Sequence, residues 1–245
     1  MTEVQSPVAA RQTGRLALLD RFVALVALIL MMPLLIVIAI AIAIDSGFPV
    51  LFAQERLGLH GRRFRVLKFR KFPSTVERNT RPLTLTDDSR FTRVGKFLAK
   101  TKLDELPQLW NVLRLDMAIV GPRPEVTDFE ACFTGPFRRV LDYRPGIFGP
   151  SQAAFRAEGK LYPPDRDPEE FYREVLFPAK GAIDLAYYPS RTFLSDTKWV
   201  LYGILAVCGT YRKMRVGLAR SPGMPEPTGN DVRGIRHLRN RNFRT

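Results

Sequence analysis

Asp104 and Glu105 are adjacent carboxylates, and a carboxylate held beside a bound diphosphate can attack phosphorus and form an acyl phosphate. Leu106, Leu109, Trp110 and Leu113 recur at helical spacing and predict a helix that begins at this pair. With Asp104 as N-cap, Pro107 falls at the third helical position, where a missing N–H forfeits no bond. The free N–H groups and positive dipole end of such a helix form an anion site beside the pair. Two carboxylates would repel a phosphate unless cations share the pocket. Lys100 and Lys102 precede the pair, and Arg123 follows it in Val120-Gly121-Pro122-Arg123-Pro124-Glu125, where the prolines stiffen the backbone. Taken alone, an Asp-Glu pair also reads as the cap of a surface helix.

The elements that must position these groups start with Phe22 to Ile44, an aliphatic run interrupted only by Pro33. At about 1.5 Å per residue it reaches roughly the 30 Å of a bilayer core. It is too long for a signal-peptide core, and a buried helix of a soluble protein is rarely so unbroken. Arg11, Arg15 and Arg21 precede it, while Arg56, Arg62, Arg63, Arg65, Lys68, Arg70 and Lys71 follow, so positive charge lies on both sides. That pattern suits both ends on one side of the membrane. Pro33 is compatible with a helix that turns back and with one that spans.

Farther on, Arg63 to Arg70 alternates basic and apolar residues, which predicts a strand with one apolar and one cationic face, joined to residues 49–58 through a loop from Gly58 to Gly61. Phe129 to Tyr143 reads as an amphipathic surface helix. Phe193 to Gly209 reads as an apolar helix at the membrane interface, with a second span as the alternative. The chain has 245 residues and a net charge of +14, which calls for an anionic partner: nucleic acid, anionic lipid or a phosphorylated substrate. Two cysteines and two histidines at unrelated spacings argue against a disulfide framework or structural zinc.

Asp104-Glu105-Leu106-Pro107-Gln108-Leu109-Trp110-Asn111-Val112-Leu113, followed by Gly121-Pro122-Arg123-Pro124, resembles the catalytic core of the bacterial sugar transferases, the monotopic polyprenyl-phosphate phosphoglycosyl transferases. Lys68-Phe69-Arg70, the Asp88, Arg90, Thr92 string and Arg144-Pro145-Gly146 are similar to further family segments, and the likeness extends over about residues 15 to 215. Several positions depart from the pattern. Ala99 stands where the family has an arginine, Leu115 and Ala118 where it has glycine and serine, Met32 where a serine precedes the membrane proline, and Lys71-Phe72 where the Lys-Phe-Arg string should continue differently.

The resemblance implies an α/β fold, mostly helical, in the short, single-function form. It implies a flexible tail (1–14), a re-entrant helix broken at Met32-Pro33 (15–45), a compact catalytic domain with interfacial amphipathic helices (46–218) and a basic disordered tail (219–245). Asp104 becomes the nucleophile and Glu105 a metal or proton-transfer group, both able to hold Mg2+. Lys68, Arg70, Arg90, Lys102, Arg123 and Arg144 become substrate-binding residues. The implied reaction moves a phosphosugar from a UDP-sugar to a polyprenyl phosphate through a phosphoglycosyl-aspartate, with UMP released. It implies the bacterial inner membrane, with the catalytic domain on the cytoplasmic side. Anionic lipid is a further partner, nucleic acid is not, and a homodimer is left open. The alternative is a catalytically silent membrane scaffold of the same fold.

Overall fold

The computed structural model describes residues 7–74, 83, 90–156 and 158–207, with side chains from 16 to 205. Asp88 and the basic tail 219–245 lie outside these residues. Helix α1 (Pro7–Ser46) is followed by an antiparallel hairpin, β1 (Leu51–Leu57) and β2 (Arg63–Phe69), in register from Leu51 opposite Phe69 to Leu57 opposite Arg63. Helices α2 (Arg93–Thr101) and α3 (Gln108–Leu113) flank the carboxylate pair. Strands β3 (Ala118–Val120) and β4 (Gly146–Phe148) pair in parallel. Helices α4 (Pro150–Ala154), α5 (Pro168–Phe171), α6 (Phe177–Tyr187) and α7 (Phe193–Val207) complete the body. The fold is mostly helical with a small strand content.

Helix α1 begins at Pro7, so residues 7–14, expected to be a loose tail, are helical. It also continues through Met32 and Pro33, where a break was expected. A proline removes one donor, here the bond to the Ile29 carbonyl, and the remaining bonds carry the helix past it. From Leu16 to Ser46 the helix is long and apolar enough to cross a membrane, and only 11% of its most apolar stretch is buried, unlike the core helix of a soluble protein. Its inner side nonetheless meets the body at both ends. Near the start, Asp20 Oδ2 accepts a bond from Ile119 N–H at 3.3 Å, and Ala24 packs with Val66, Leu109 and Met117. Near the finish, Ile38 and Ile42 pack with Phe69 and Leu98, and Asp45 accepts from Val94 N–H.

Strand β2 departs from the expected division into one apolar and one cationic face, because the alternation slips at Val66-Leu67. One face carries Phe64, Val66 and then Lys68; the other carries Arg63, Arg65 and then Leu67 and Phe69. The first face therefore runs from the core into the carboxylate site. The second runs from solvent into an apolar cavity against α1. The expected surface helix over 129–143 is also different: two 3-10 segments, Thr127–Cys132 and Gly135–Asp142, meet where Gly135 takes φ +53° and Pro136 follows. A left-handed residue followed by proline interrupts any α ladder there.

Helix α3 ends in a Schellman motif, with Asp116 N–H bonding to Asn111 O and Leu115 N–H to Val112 O. Leu115 holds the left-handed position at φ +66°, where its Cβ is strained and glycine is free of that strain. Leu115→Gly is expected to stabilise the protein by about 1 kcal/mol, raising the melting temperature by about 2–4 °C. Thermal denaturation followed by circular dichroism checks this, and an unchanged or lower midpoint would count against the strain argument.

Candidate active site

The carboxylate pair does not cap a helix as expected. Helix α2 ends at Lys102, which turns left-handed at φ +65°, and Leu103–Glu105 then form a single 3-10 turn. Pro107 has no N–H with which to extend that turn into a longer ladder, so α3 begins only at Gln108 and is six residues long. The positive charge beside the pair therefore comes from side chains and not from a helix end.

Glu105 lies in an ion pair with Lys68 (Oε1 to Nζ, 3.2 Å) and close to Arg123 (Oε1 to Nη2, 3.6 Å). Asp104 is 1% exposed, and Lys71 Nζ stands 3.0 Å from its Oδ2. Both Asp104 carboxylate oxygens are buried and neither takes a hydrogen bond among the described residues, so the Lys71 contact is an ion pair without hydrogen-bond geometry. Lys102 is near enough to feel the charge of both carboxylates. Lys68, Lys71, Lys102 and Arg123 thus outnumber Asp104 and Glu105, leaving a pocket with surplus positive charge and a place for an anion.

That surplus appears in the ionisation of each group. Burial alone would raise the Glu105 pKa, but Lys68, Arg123, Lys102 and Lys71 together hold it well below the ordinary carboxylate range. Burial also lowers Lys68, and Arg123, Arg56 and Lys71 push it further against the pull of Glu105, to about 7. Burial lowers Lys102 as well. Arg123 is raised despite its burial because Glu105, Glu158 and Glu125 surround it. Lys68 is therefore charged below pH 7 and loses its proton above it. We expect kcat/KM to fall with rising pH from about 7 in the unliganded enzyme, and Lys68→Arg to move that limb upward. A pH–rate profile identical in wild type and Lys68→Arg would assign the limb to another group.

Backbone contacts position these side chains. Asn111 on α3 accepts Leu67 N–H through Oδ1 at 2.9 Å and donates through Nδ2 to Arg65 O at 2.8 Å, tying the helix after the pair to the strand that carries Lys68. The Pro122-Arg123-Pro124 segment is held from two sides. Arg56 donates to Pro124 O at 3.2 Å, and Gly146 N–H donates to Pro122 O at 2.8 Å. Gly121 and Gly146 cross so closely that a Cβ on Gly146 would lie 2.0 Å from Gly121 N, which explains a glycine at each position. Behind Arg123, Tyr172 donates to Glu125, and Lys180 bonds Tyr172 and pairs with Glu158 at 2.6 Å.

Of the residues singled out from sequence, the structure thus brings together Asp104, Glu105, Lys68, Lys102 and Arg123. Three others lie in different surroundings. Arg70 is 1% exposed and donates to Ser46 O, Ser46 Oγ and Gly47 O, closing the end of α1. Arg90 lies over the Phe72 ring at 4.8 Å. Arg144 has Asp20 and Asp116 as its acidic neighbours. Lys71, read only as a flanking cation and a departure from the family string, is the side chain that sequence reasoning missed; its one signal was a third basic residue in Lys68-Phe69-Arg70-Lys71.

The bacterial sugar transferase profile matches residues 12–210. The uncharacterized sugar transferase EpsL of Bacillus subtilis is 39% identical over 71% of this chain and 74% of its own length. A UDP-N-acetylgalactosamine-undecaprenyl-phosphate N-acetylgalactosaminephosphotransferase of Aeromonas hydrophila is 38% identical over 55% of this chain. A UDP-glucose:undecaprenyl-phosphate glucose-1-phosphate transferase of Xanthomonas campestris is 40% identical over 58%. The matches to these last two span only 32% and 30% of their lengths. Since the matched region runs from the apolar helix through the dyad turn and the parallel strand pair, the chain belongs to the bacterial sugar transferase family.

Proposed function

We propose that this chain transfers a phosphosugar from a UDP-sugar to a polyprenyl phosphate, undecaprenyl phosphate in particular, at the bacterial inner membrane with its catalytic body in the cytoplasm. The observation that carries the reading is a buried Asp104-Glu105 turn with surplus cations, set near the end of a helix long and apolar enough to cross a membrane. One substrate is soluble and highly charged; the other keeps its phosphate at the membrane surface and its hydrocarbon in the bilayer. An apolar cavity of about 390 Å³, lined by Leu28, Leu35, Ala39, Leu67, Phe69 and Trp110, reaches Pro107 beside the dyad and suits such an amphiphile.

Asp104 attacks the phosphorus that bears the sugar, its bond to that phosphorus forms, and UMP leaves with the bridging oxygen. The polyprenyl phosphate oxygen then attacks the same phosphorus, and the Asp104 carboxylate is regenerated. Lys68, Lys102 and Arg123 hold the diphosphate and offset its charge, which is worth most in a site that excludes water. Glu105, kept ionised by its cations, assists proton movement in the second step. Magnesium, when bound, would neutralise phosphate oxygens. The donor set fits it: Asp104 Oδ1 is unpartnered, and Mg2+ commonly takes one or two carboxylates together with substrate phosphates. Among the described residues no group of three or more His, Cys, Asp or Glu would hold it without those phosphates.

In this reading helix α1 runs unbroken with its stretch at Asp20 and its end at Ser46 on the same side of the membrane. Contacts from Asp20 to Ser46 on one body support it, because a helix crossing the bilayer could not return its far end to a body on the near side. Pro33 softens the helix near its middle. Helix α7 packs Trp199 and Val200 inward and exposes Phe193, Leu194, Leu201 and Ile204, which suits the membrane interface. The test is nucleotide release by the protein in lipid nanodiscs with undecaprenyl phosphate, magnesium and a panel of UDP-sugars. UMP from one donor supports phosphosugar transfer; UDP would indicate ordinary glycosyl transfer, and no release from folded protein would favour the silent scaffold.

A further inference from the structure

Lys71 carries none of the family resemblance, yet the fold builds a seat for it. Thr92 N–H donates to Lys71 O at 3.0 Å. Gly95 on α2 lies so near the same peptide that a Cβ there would stand 2.0 Å from Lys71 O. Thr92 caps α2 by accepting Gly95 N–H at 2.9 Å, so the start of that helix is pinned against Lys71. The Phe91 ring, packed on Phe72 at 4.8 Å, lies 5.9 Å from the ammonium. The Lys71 side chain is 20% exposed and Asp104 is 1% exposed, so the ammonium keeps some contact with solvent while the carboxylate has almost none.

The cations are also divided between the two acids. Lys68 and Arg123 approach Glu105, whereas Lys71 approaches Asp104. Attack by Asp104 forms a carboxylate-oxygen-to-phosphorus bond and breaks the bond to UMP, which departs with the electron pair. The carboxylate's single negative charge is replaced by that of the new phosphodiester, and no proton moves. A cation fixed beside Oδ2 is therefore matched to the charge before and after the step.

We propose that Lys71 is the charge partner of the aspartyl adduct: its ammonium orients ionised Asp104 for attack and then pairs with the phosphoryl oxygen it has acquired. Ala99 supplies no charge on α2, and Lys71 brings one to Asp104 from the segment just past β2. The proposal rests on the reading of Asp104 as nucleophile.

The experiment is single-turnover UMP release by the full chain in nanodiscs, with the UDP-sugar donor that supports turnover and no lipid acceptor. Wild type is expected to release a burst of UMP and to gain the phosphosugar mass on Asp104. Lys71→Met should slow the burst about 100-fold, the size of effect typical for removal of one group that stabilises developing charge. Donor half-saturation should change less than about threefold, since Lys68 and Arg123 remain. Lys71→Arg should stay within about tenfold of wild type because it keeps the charge. Lys71→Ala should regain rate saturably with added ethylammonium, a recovery that a purely structural role would not produce. A Lys71→Met burst at the wild-type rate overturns the proposal. So does a loss that neither arginine nor ethylammonium repairs in protein with the wild-type melting temperature. Absence of any burst from folded wild type is a separate result, which takes down the reading of Asp104 itself.

Discussion

Asp104→Asn is expected to lower UMP release by at least about a thousandfold and to leave no phosphosugar adduct on the protein, as removal of a nucleophile does elsewhere. The substitution preserves shape and removes the charge. An amide is a poor nucleophile, and neither Lys68 nor Arg123 can supply the missing bond. Folding should survive, because Lys71, left without its partner, is 20% exposed and can be solvated. The measurement is UMP release and intact-protein mass on protein whose circular dichroism melt matches wild type. Turnover retained in Asp104→Asn would mean direct attack by the acceptor phosphate, with no covalent intermediate.

Arg123→Ala is the second large effect. Arg123 has its backbone fixed between two prolines and against the Gly121–Gly146 crossing, in front of the Glu125, Tyr172, Lys180 and Glu158 cluster, with its side chain 35% exposed. It remains charged at every working pH, whereas Lys68 loses its proton near pH 7. Removing it should lower kcat/KM by about 10²–10³, with both kcat reduced and donor KM raised, because it holds the diphosphate in the ground state and more strongly in the transition state, where charge builds on the leaving oxygen. Arg123→Lys should recover only part of this, since a point charge lacks the planar fork. The check is steady-state UMP release against donor concentration. A change in KM alone would reduce Arg123 to a ground-state binding contact.

Some of this was legible in the chain. The dyad, Arg123, Lys68 and the hairpin could be read from adjacent residues because strand alternation and proline placement act over a few positions. The start of the dyad helix was misread for the same reason: apolar spacing located the helix, but the missing N–H of Pro107 decided that a 3-10 turn precedes it. Leu115 was visible as a departure from glycine, yet its left-handed strain is known only from the backbone it adopts. Arg70 and Lys68 look equivalent in the string Lys68-Phe69-Arg70. They point to different partners because the strand ends between them, so Lys68 reaches Glu105 and Arg70 turns to Ser46 and Gly47.

By itself, then, the sequence determined the apolar helix, the order of elements, the surplus of basic charge and the adjacent carboxylate pair beside it. These depend on composition and short-range periodicity. Only the tertiary structure decided which cations share the pocket, that Lys71 meets Asp104, that Arg144 lies instead by Asp20 and Asp116, and that both ends of α1 rest on one body. The reason is physical: Coulomb pairing and close backbone crossings depend on distances of a few ångströms between residues far apart in the chain, and no local pattern encodes those distances.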